Sequence, residues 1–455
     1  MAIQATDTRE TREADTFRHR WLNFSGNQIS LCSGQAKILS LGGHPRVYYN
    51  TSTMTEMPRL DILLYAHDGR GLGHASRTIA IGMAIRRLYP SLRVALVTGC
   101  SFSRELIGNV PLDWIKLPSY ETRVINGRSR GITGKSGYSD QELGRLRTRM
   151  LEDLVRLYRP RMVLVDHQPQ GKHRELLRAI ETSQKDRTRW VLGVRGVTGA
   201  VPQTRSDLAA ELFRSSYHGI LWYGDSRVLG TDHLEQLRQR FGTEPVECGY
   251  VSRLAQLLHF QAESPPGTVP TMAGTMAIPW QGEQTLELLG LLPDVLHRFG
   301  PGPGLWTIFV PDLPDPLWQR HLDSLRAIDH VRVEPVSASY VQALVNSRTA
   351  VIYGGYNSVV DILHTGIPAV VLLREMRDGE QQLHLRLLRH HVGDQLRLLP
   401  EKDVHPDQLH TLLEAQLRRK RAPSSDHICL TGAENSARYL HRLLQDDKIT
   451  FRATM

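Results

Sequence analysis

The chain has 455 residues, 40% of them hydrophobic and 23% charged, and a formal net charge of +9 at neutral pH. That length exceeds one ordinary domain and fits two large ones, while the charge suits anionic ligands such as nucleotide diphosphates, lipid phosphates or a membrane surface, with nucleic acid also allowed. Cys32, Cys100, Cys248 and Cys429 lie far apart with no CxxC pair, against a disulfide framework or a zinc site; no apolar run approaches the ~20 residues that span a bilayer, and the N-terminus is polar rather than signal-like, so reduced cytosol is the simplest compartment.

Residues 1–57, including TDTRETREADTFRHR, lack a sustained hydrophobic period and predict a poorly ordered extension, with Met54 or Met57 as alternative native starts. The regular pattern begins with the apolar run 60–66, followed by HDGRGLGH at 67–74 and a helical face of Ile79, Ala80, Met83, Ala84 and Leu88. A GxGxxG dinucleotide fingerprint would need glycine where His74 stands and an acidic residue after the next strand, which ends in Thr98-Gly99; NAD binding is disfavoured. His74, at the mouth of a helix beside a glycine turn, is the first catalytic candidate, as a general base or a phosphate hydrogen-bond donor. The structural alternative is a histidine that satisfies a helix end.

A short apolar stretch at 114–117 leads to an arginine-rich loop at 119–137 and a helix over 139–158 that carries Arg145, Arg147, Arg149 and Arg156. Loops of this length often hold specificity for a ligand; the arginines read as a solvated helix face, with contact to a phosphorylated substrate as the alternative. A buried strand at 162–165 ends in Asp166. Asp166 and Glu175 are candidates for substrate binding or base catalysis or, more simply, loop caps. Further strands are predicted at 190–194 and 219–223, and proline and glycine content marks 254–270 as a linker.

The stretch 349–382 carries the most information. Residues 350–353 are apolar, Gly354-Gly355-Tyr356-Asn357 breaks the run, Val359, Val360, Ile362 and Leu363 are amphipathic, Gly366-Ile367-Pro368 stops the helix, and 369–373 is again continuously apolar. This is a βαβ unit with parallel strands. Its glycines let backbone N–H groups approach a ligand closely, and the helix N-terminus carries about half a unit of positive charge, so a phosphate fits there. Asp361 can accept hydrogen bonds from a ribose diol, and Arg374 with Glu380-Gln381-Gln382 can hold sugar and phosphates. The spacing of Ser358 and Asp361 also matches a helix capping box, which needs no ligand. A helix over 404–417 ends in Arg418-Arg419-Lys420-Arg421, a solvated helix end or a lipid-phosphate contact, and 432–444 is a final amphipathic helix.

Taken together, GLGHASR at 71–77, the segment Asp166, Pro169, Gly171, Glu175-Leu176, Tyr223-Gly224-Asp225, Gly249-Tyr250-Val251-Ser252-Arg253 and GGYNSVVDILHTGIPAVVL with Arg374 and Glu380-Gln381 resemble MurG-like bacterial glycosyltransferases of the GT-B class, relatives of the peptidoglycan lipid-linked N-acetylglucosaminyltransferase, over residues 58 to 445. The resemblance implies an α/β architecture of two Rossmann-like domains facing a central cleft: an acceptor domain at 58–253, the linker, a donor domain at 271–425, and a C-terminal helix and tail at 426–455. It implies metal-independent, inverting transfer of a hexose from a nucleotide-sugar, expected to be a UDP-sugar, to a small-molecule or lipid-linked acceptor. The nucleotide-sugar is the substrate and no cofactor is implied. A cytoplasmic protein with peripheral contact to the inner face of the membrane and no nucleic-acid partner fits this reading.

By the same resemblance His74 assists deprotonation of the acceptor or orients it, Gly73, Gly354, Gly355, Asn357 and Ser358 lie beside the diphosphate, Asp361 grips the ribose, and Arg374, Glu380 and Gln381 complete the donor pocket. A GT-B sugar-nucleotide epimerase or a non-catalytic sugar-nucleotide-binding protein would use the same donor site. The chain departs from the family at 271–282, where only Gly274 and Gly282 stand in place of a glycine run, and at Val310-Pro311-Asp312, which replaces a glycine-proline. Side chains in a phosphate cradle hinder backbone approach, so weaker donor affinity is expected.

Overall fold

The computed structural model describes residues 21–24, 27–30, 58–67, 72–125, 128–132, 137–197, 206–261, 272–374, 379–422 and 427–446. In the first 58 residues these are two four-residue strands, β1 (Trp21–Phe24) and β2 (Asn27–Ser30), paired antiparallel; the rest of the extension expected over 1–57 lies outside the described residues. Residues 59–455 form one compact unit built on two parallel sheets.

Alternating strand and helix patterns give a Rossmann-like first half. Its strands are β3 (Ile62–Ala66), β4 (Val94–Thr98) and β5 (Asp113–Lys116), then, after a small antiparallel hairpin β6 (Glu121–Ile125) and β7 (Arg128–Ile132), β8 (Met162–Asp166), β9 (Arg189–Arg195), β10 (Tyr217–Tyr223) and β11 (Val246–Glu247). The order across the sheet is β11-β10-β9-β8-β3-β4-β5. Every residue of β3, β4 and β8 is buried, as continuous apolar runs covered on both faces require. α1 (Gly73–Leu88) connects β3 to β4, and α2 (Asp140–Tyr158) starts at a capping box between Ser139 and Glu142. The loop expected at 119–137 therefore contains the hairpin.

Most arginines of α2 face solvent as expected; Arg147 does not. It is fully buried and bidentate with Glu175, Nε to Oε2 at 2.6 Å and Nη2 to Oε1 at 2.8 Å, and the Tyr65 and Tyr120 hydroxyls also donate to that carboxylate. Glu175 is thus committed to a structural ion pair. Asp225 is likewise structural, capping a short turn of helix and accepting from the Cys429 amide at 2.6 Å.

α3 (Arg253–Gln261) fills the first part of the segment expected as a linker and packs on α1. The second half carries β12 (Met272–Ala277), α4 (Glu283–Phe299), β13 (Trp306–Val310), β14 (Val331–Pro335), β15 (Ser347–Tyr353), α5 (Tyr356–Thr365), β16 (Ala369–Leu373), α6 (Glu380–Val392) and β17 (Leu396–Pro400), with sheet order β14-β13-β12-β15-β16-β17. Much of the stretch expected as an altered phosphate loop is β12. Gly274 lies inside that strand, where an added Cβ would come within 2.4 Å of the Trp306 ring, so it is a packing glycine; only residues 278–282 remain as the loop. In the basic run, Arg418 pairs with Glu414, Arg419 pairs with Asp394, and Arg421 donates to the Ser347 carbonyl.

The halves are joined at several points. α7 (Gly432–Gln445) returns to pack on α1; Gly432 approaches the 249–250 backbone so closely that a Cβ would lie 2.4 Å from the Gly249 carbonyl oxygen. One hydrophobic cluster runs from Ile79 and Met83 through Val359 and Ile362 to Leu440. The Tyr356 hydroxyl donates to the Tyr223 carbonyl at 3.0 Å and accepts from the Val251 amide at 2.9 Å. Among the described residues no helix is long and apolar enough to cross a membrane.

Replacing Tyr356 by Phe keeps the packing and leaves a buried carbonyl and a buried amide without their partner. A loss of about 2–4 kcal/mol in unfolding free energy is expected by urea denaturation. A loss within experimental error of zero would mean the hydroxyl does not fasten the two halves.

Candidate active site

In open parallel sheets, ligands bind beyond the carboxyl ends of the strands where the strand order reverses. In the first sheet that point lies between β3 and β8, and the residues that leave it are His67, His74, Asp166 and His167. In the second it lies between β12 and β15, which lead into residues 278–282 and Gly354-Gly355. The two reversal points meet where Asn357 reaches Gly73.

His74 Nδ1 hydrogen-bonds Asp166 Oδ2, and Arg77, one helical turn later, places Nη2 3.0 Å from the same oxygen and 3.1 Å from His74 Nδ1. Arg77 and Asp166 are almost completely buried, and His74 keeps 16% of its side chain exposed. An ionised carboxylate can only accept, so the bond to Asp166 assigns the proton to Nδ1 and leaves the Nε2 lone pair to act as a base. Burial, then the cations Arg77, Arg195 and Lys172, hold His74 well below the usual histidine range. Arg77 balances the Asp166 charge, so the carboxylate orients the ring without protonating it.

The His67 and His167 rings lie 3.9 and 5.4 Å from that of His74, both buried and both held neutral, chiefly by burial. His167 adopts a left-handed backbone at φ 74°, an uncommon conformation for a residue other than glycine. Ligand atoms of His67, His74 and Asp166 come within 4.8 Å of one another, a spacing that a metal ion can use. Arg77 Nη2 opposes that use: it donates to Asp166 and brings a fixed positive charge within 3.1 Å of His74 Nδ1.

Across from the histidines, α5 starts at Tyr356 with Gly355 as its N-cap and no side-chain cap. Ser358 is therefore the third residue of the helix, and the capping box that its spacing to Asp361 suggested is not formed. Uncapped first-turn amides are unsatisfied donors with the positive end of the helix behind them. Asn357 Nδ2 donates to the Gly73 carbonyl at 3.2 Å, which brings the N-termini of α1 and α5 together.

Gln381 Oε1 would lie 3.4 Å from a Cβ on Gly354; it and Arg374 Nη1 are buried with no hydrogen-bond partner among the described residues. Groups left in that state favour a ligand that supplies the missing partner. Arg374 also sits over the Trp280 ring at 4.9 Å and 3.3 Å from Glu401 Oε2. Glu380 pairs with Arg195 of the first half at 2.6 Å. Asp361 lies deeper: it is 8% exposed, its carboxyl group receives no hydrogen bond among the described residues, and it is raised by burial to about 7, with Arg253 opposing.

The structure thus gathers Gly73, His74, Gly354, Gly355 and Asn357 around one point, puts Gln381 against Gly354, and sets Asp361 back in the packing of α5. Reasoning from sequence left the role of Asp166 open and passed over Arg77, Tyr356, Trp280 and Arg195. Arg77 was within reach, because position i+3 from His74 lies on the same helix face.

No protein-family model and no curated protein matches the chain. Solved structures do. The UDP-GlcNAc 2-epimerase of Methanocaldococcus jannaschii is 12% identical, with 85% of this chain and 99% of that one covered and a TM-score of 0.52. The UDP-GlcNAc 2-epimerase of Neisseria meningitidis bound to UDP-GlcNAc is 11% identical over 85% of this chain and 100% of that one, at 0.52. Glycosyltransferase VinC in complex with dTDP is 10% identical over 85% and 100%, at 0.51. At such identities the likeness establishes the fold, which is GT-B.

The raised Asp361 fixes a sign. Its penalty is absent below about pH 4, grows as the pH rises toward 7, and is complete above that. Asp361→Asn is expected to match the wild type near pH 4 and to exceed it at pH 8 by up to roughly 4 kcal/mol in urea unfolding. Equal stability at both pH values would mean that the carboxyl group is solvated.

Proposed function

We propose that this protein transfers a hexose from a nucleoside-diphosphate sugar, expected to be a UDP-sugar, to the hydroxyl or amine of a small-molecule or lipid-linked acceptor. The observation that carries the reading is that two features meet where Asn357 bonds Gly73: the His74–Asp166 pair with its Nε2 lone pair, and the uncapped N-terminus of α5 behind Gly354 and Gly355. The acceptor oxygen or nitrogen attacks the anomeric carbon and its proton passes to His74 Nε2. The bond from that carbon to the diphosphate oxygen breaks, and the electron pair leaves on the diphosphate, where the amides of α5 meet the new charge.

A base on one side of the sugar and a leaving-group site on the other favour a single displacement with inversion. The helix amides and Arg374 supply positive potential to the diphosphate, which supports a metal-independent reaction. Asp361 is assigned to the ribose and Gln381 to the sugar.

A second reading is a sugar-nucleotide epimerase, favoured by the cluster of three neutral imidazoles, which offers more acid–base groups than one deprotonation needs. Epimerisation would need no acceptor. Proton NMR of UDP-GlcNAc with the enzyme in D2O separates the readings: an unchanged sugar supports transfer, and a deuterated C2 epimer supports epimerisation.

Calorimetric titration with UDP, GDP and TDP tests the donor site itself. Binding of UDP, weakened about tenfold or more by Asp361→Ala, is expected. If a folded sample binds none of the three at millimolar concentration, the donor assignment falls.

A further inference from the structure

Arg195 is the last residue of β9, in register with Tyr223 on β10, and its guanidinium leaves the first half of the molecule to meet Glu380, the first residue of α6 in the second. The Nη2 to Oε2 distance is 2.6 Å, and the side chains are 21% and 12% exposed. On one side Arg195 acts electrostatically on His74 and His167; on the other it acts on His384, one turn along α6. Gln381, next to Glu380, touches the Gly354 position. Arg195 is therefore within electrostatic reach of the proposed base and bonded to the residue next to Gln381 at the proposed diphosphate site.

Two anions cannot share that place at low cost. A diphosphate at the N-terminus of α5 would bring about two negative charges close to the Glu380 carboxylate, in a setting where water screens poorly. Either Glu380 is repelled or its arginine turns to the stronger anion. Guanidinium groups favour phosphate oxygens through paired N–H donors, and Glu380 can then accept from a neutral hydroxyl instead.

We propose that Arg195 is a diphosphate ligand contributed by the first half of the molecule, and that Glu380 is the anion that occupies it until the donor arrives. The proposal rests on the donor-site reading above and adds to it a residue from the opposite domain. It makes donor binding an exchange of ion pairs across the domain boundary.

The two members of the pair then have opposite effects on binding. UDP carries the diphosphate without a sugar, so it isolates Arg195 from any sugar contact of Glu380. In calorimetric titrations Arg195→Met is expected to weaken UDP about tenfold or more, Arg195→Lys less, and Glu380→Gln to tighten it severalfold by removing the competing anion. A purely structural ion pair would make both neutral variants weaker or leave both unchanged, and either result overturns the proposal. Thermal unfolding checks that each variant is folded; if Arg195→Met is not, Glu380→Gln alone decides, since UDP binding that is equal or weaker contradicts the exchange. Absence of UDP binding by the unaltered protein sinks the donor-site reading and this inference with it, whereas wild-type binding that Arg195→Met leaves unchanged sinks the inference alone.

Discussion

The Asp166 carboxylate is the constraint on which the site depends. It is 1% exposed and shared by a histidine and an arginine on successive turns at the start of α1. A buried charge of this kind is tolerable only with its partners in place. Arg77 neutralises it, so His74 is oriented without being protonated. The same guanidinium lies 5.4 Å from the centre of the Tyr356 ring, on the other half of the molecule. One ion pair thus orients the ring and braces the start of the helix opposite.

From that start the second half is arranged around an unsatisfied helix terminus. Tyr356 ties it to Tyr223 and Val251, Asn357 ties it to Gly73, and neither side chain caps the helix. Positions that could have satisfied the first-turn amides serve to hold the two halves together. The amides themselves stay available to an anion, and the buried Gln381 oxygen against Gly354 and the buried Arg374 nitrogen are in the same unsatisfied condition. Groups of this sort reduce stability in the free protein, and their concentration at a strand-order reversal is what a binding site looks like in energetic terms.

Much of this was legible in the sequence. The runs at 60–66 and 369–373 announced buried parallel strands, and the glycine breaks at 71–73 and 354–355 marked both strand-to-helix turns. What stayed hidden had physical reasons. The segment 272–277 was misread because Gly274 looks like a loop residue, while its role is to admit the Trp306 ring against a strand. Ser358 and Asp361 match a capping box by spacing alone, but the helix begins three residues too early to use it. Arg147 resembles its exposed neighbours on α2, and only the position of Glu175 in the fold buries it. Arg195 and Tyr356 act through partners 185 and 133 residues away in the chain, Glu380 and Tyr223, which no local pattern can disclose.

The most direct measurement is a crystal structure of the protein with UDP. The expected result is a diphosphate within hydrogen-bond distance of the backbone amides at 355–357, the ribose toward Asp361, and His74 Nε2 facing the open side of the β-phosphate. A diphosphate bound elsewhere, with the α5 terminus left empty, would contradict the assignment of this terminus as the donor site and remove the basis for His74 as the base opposite it.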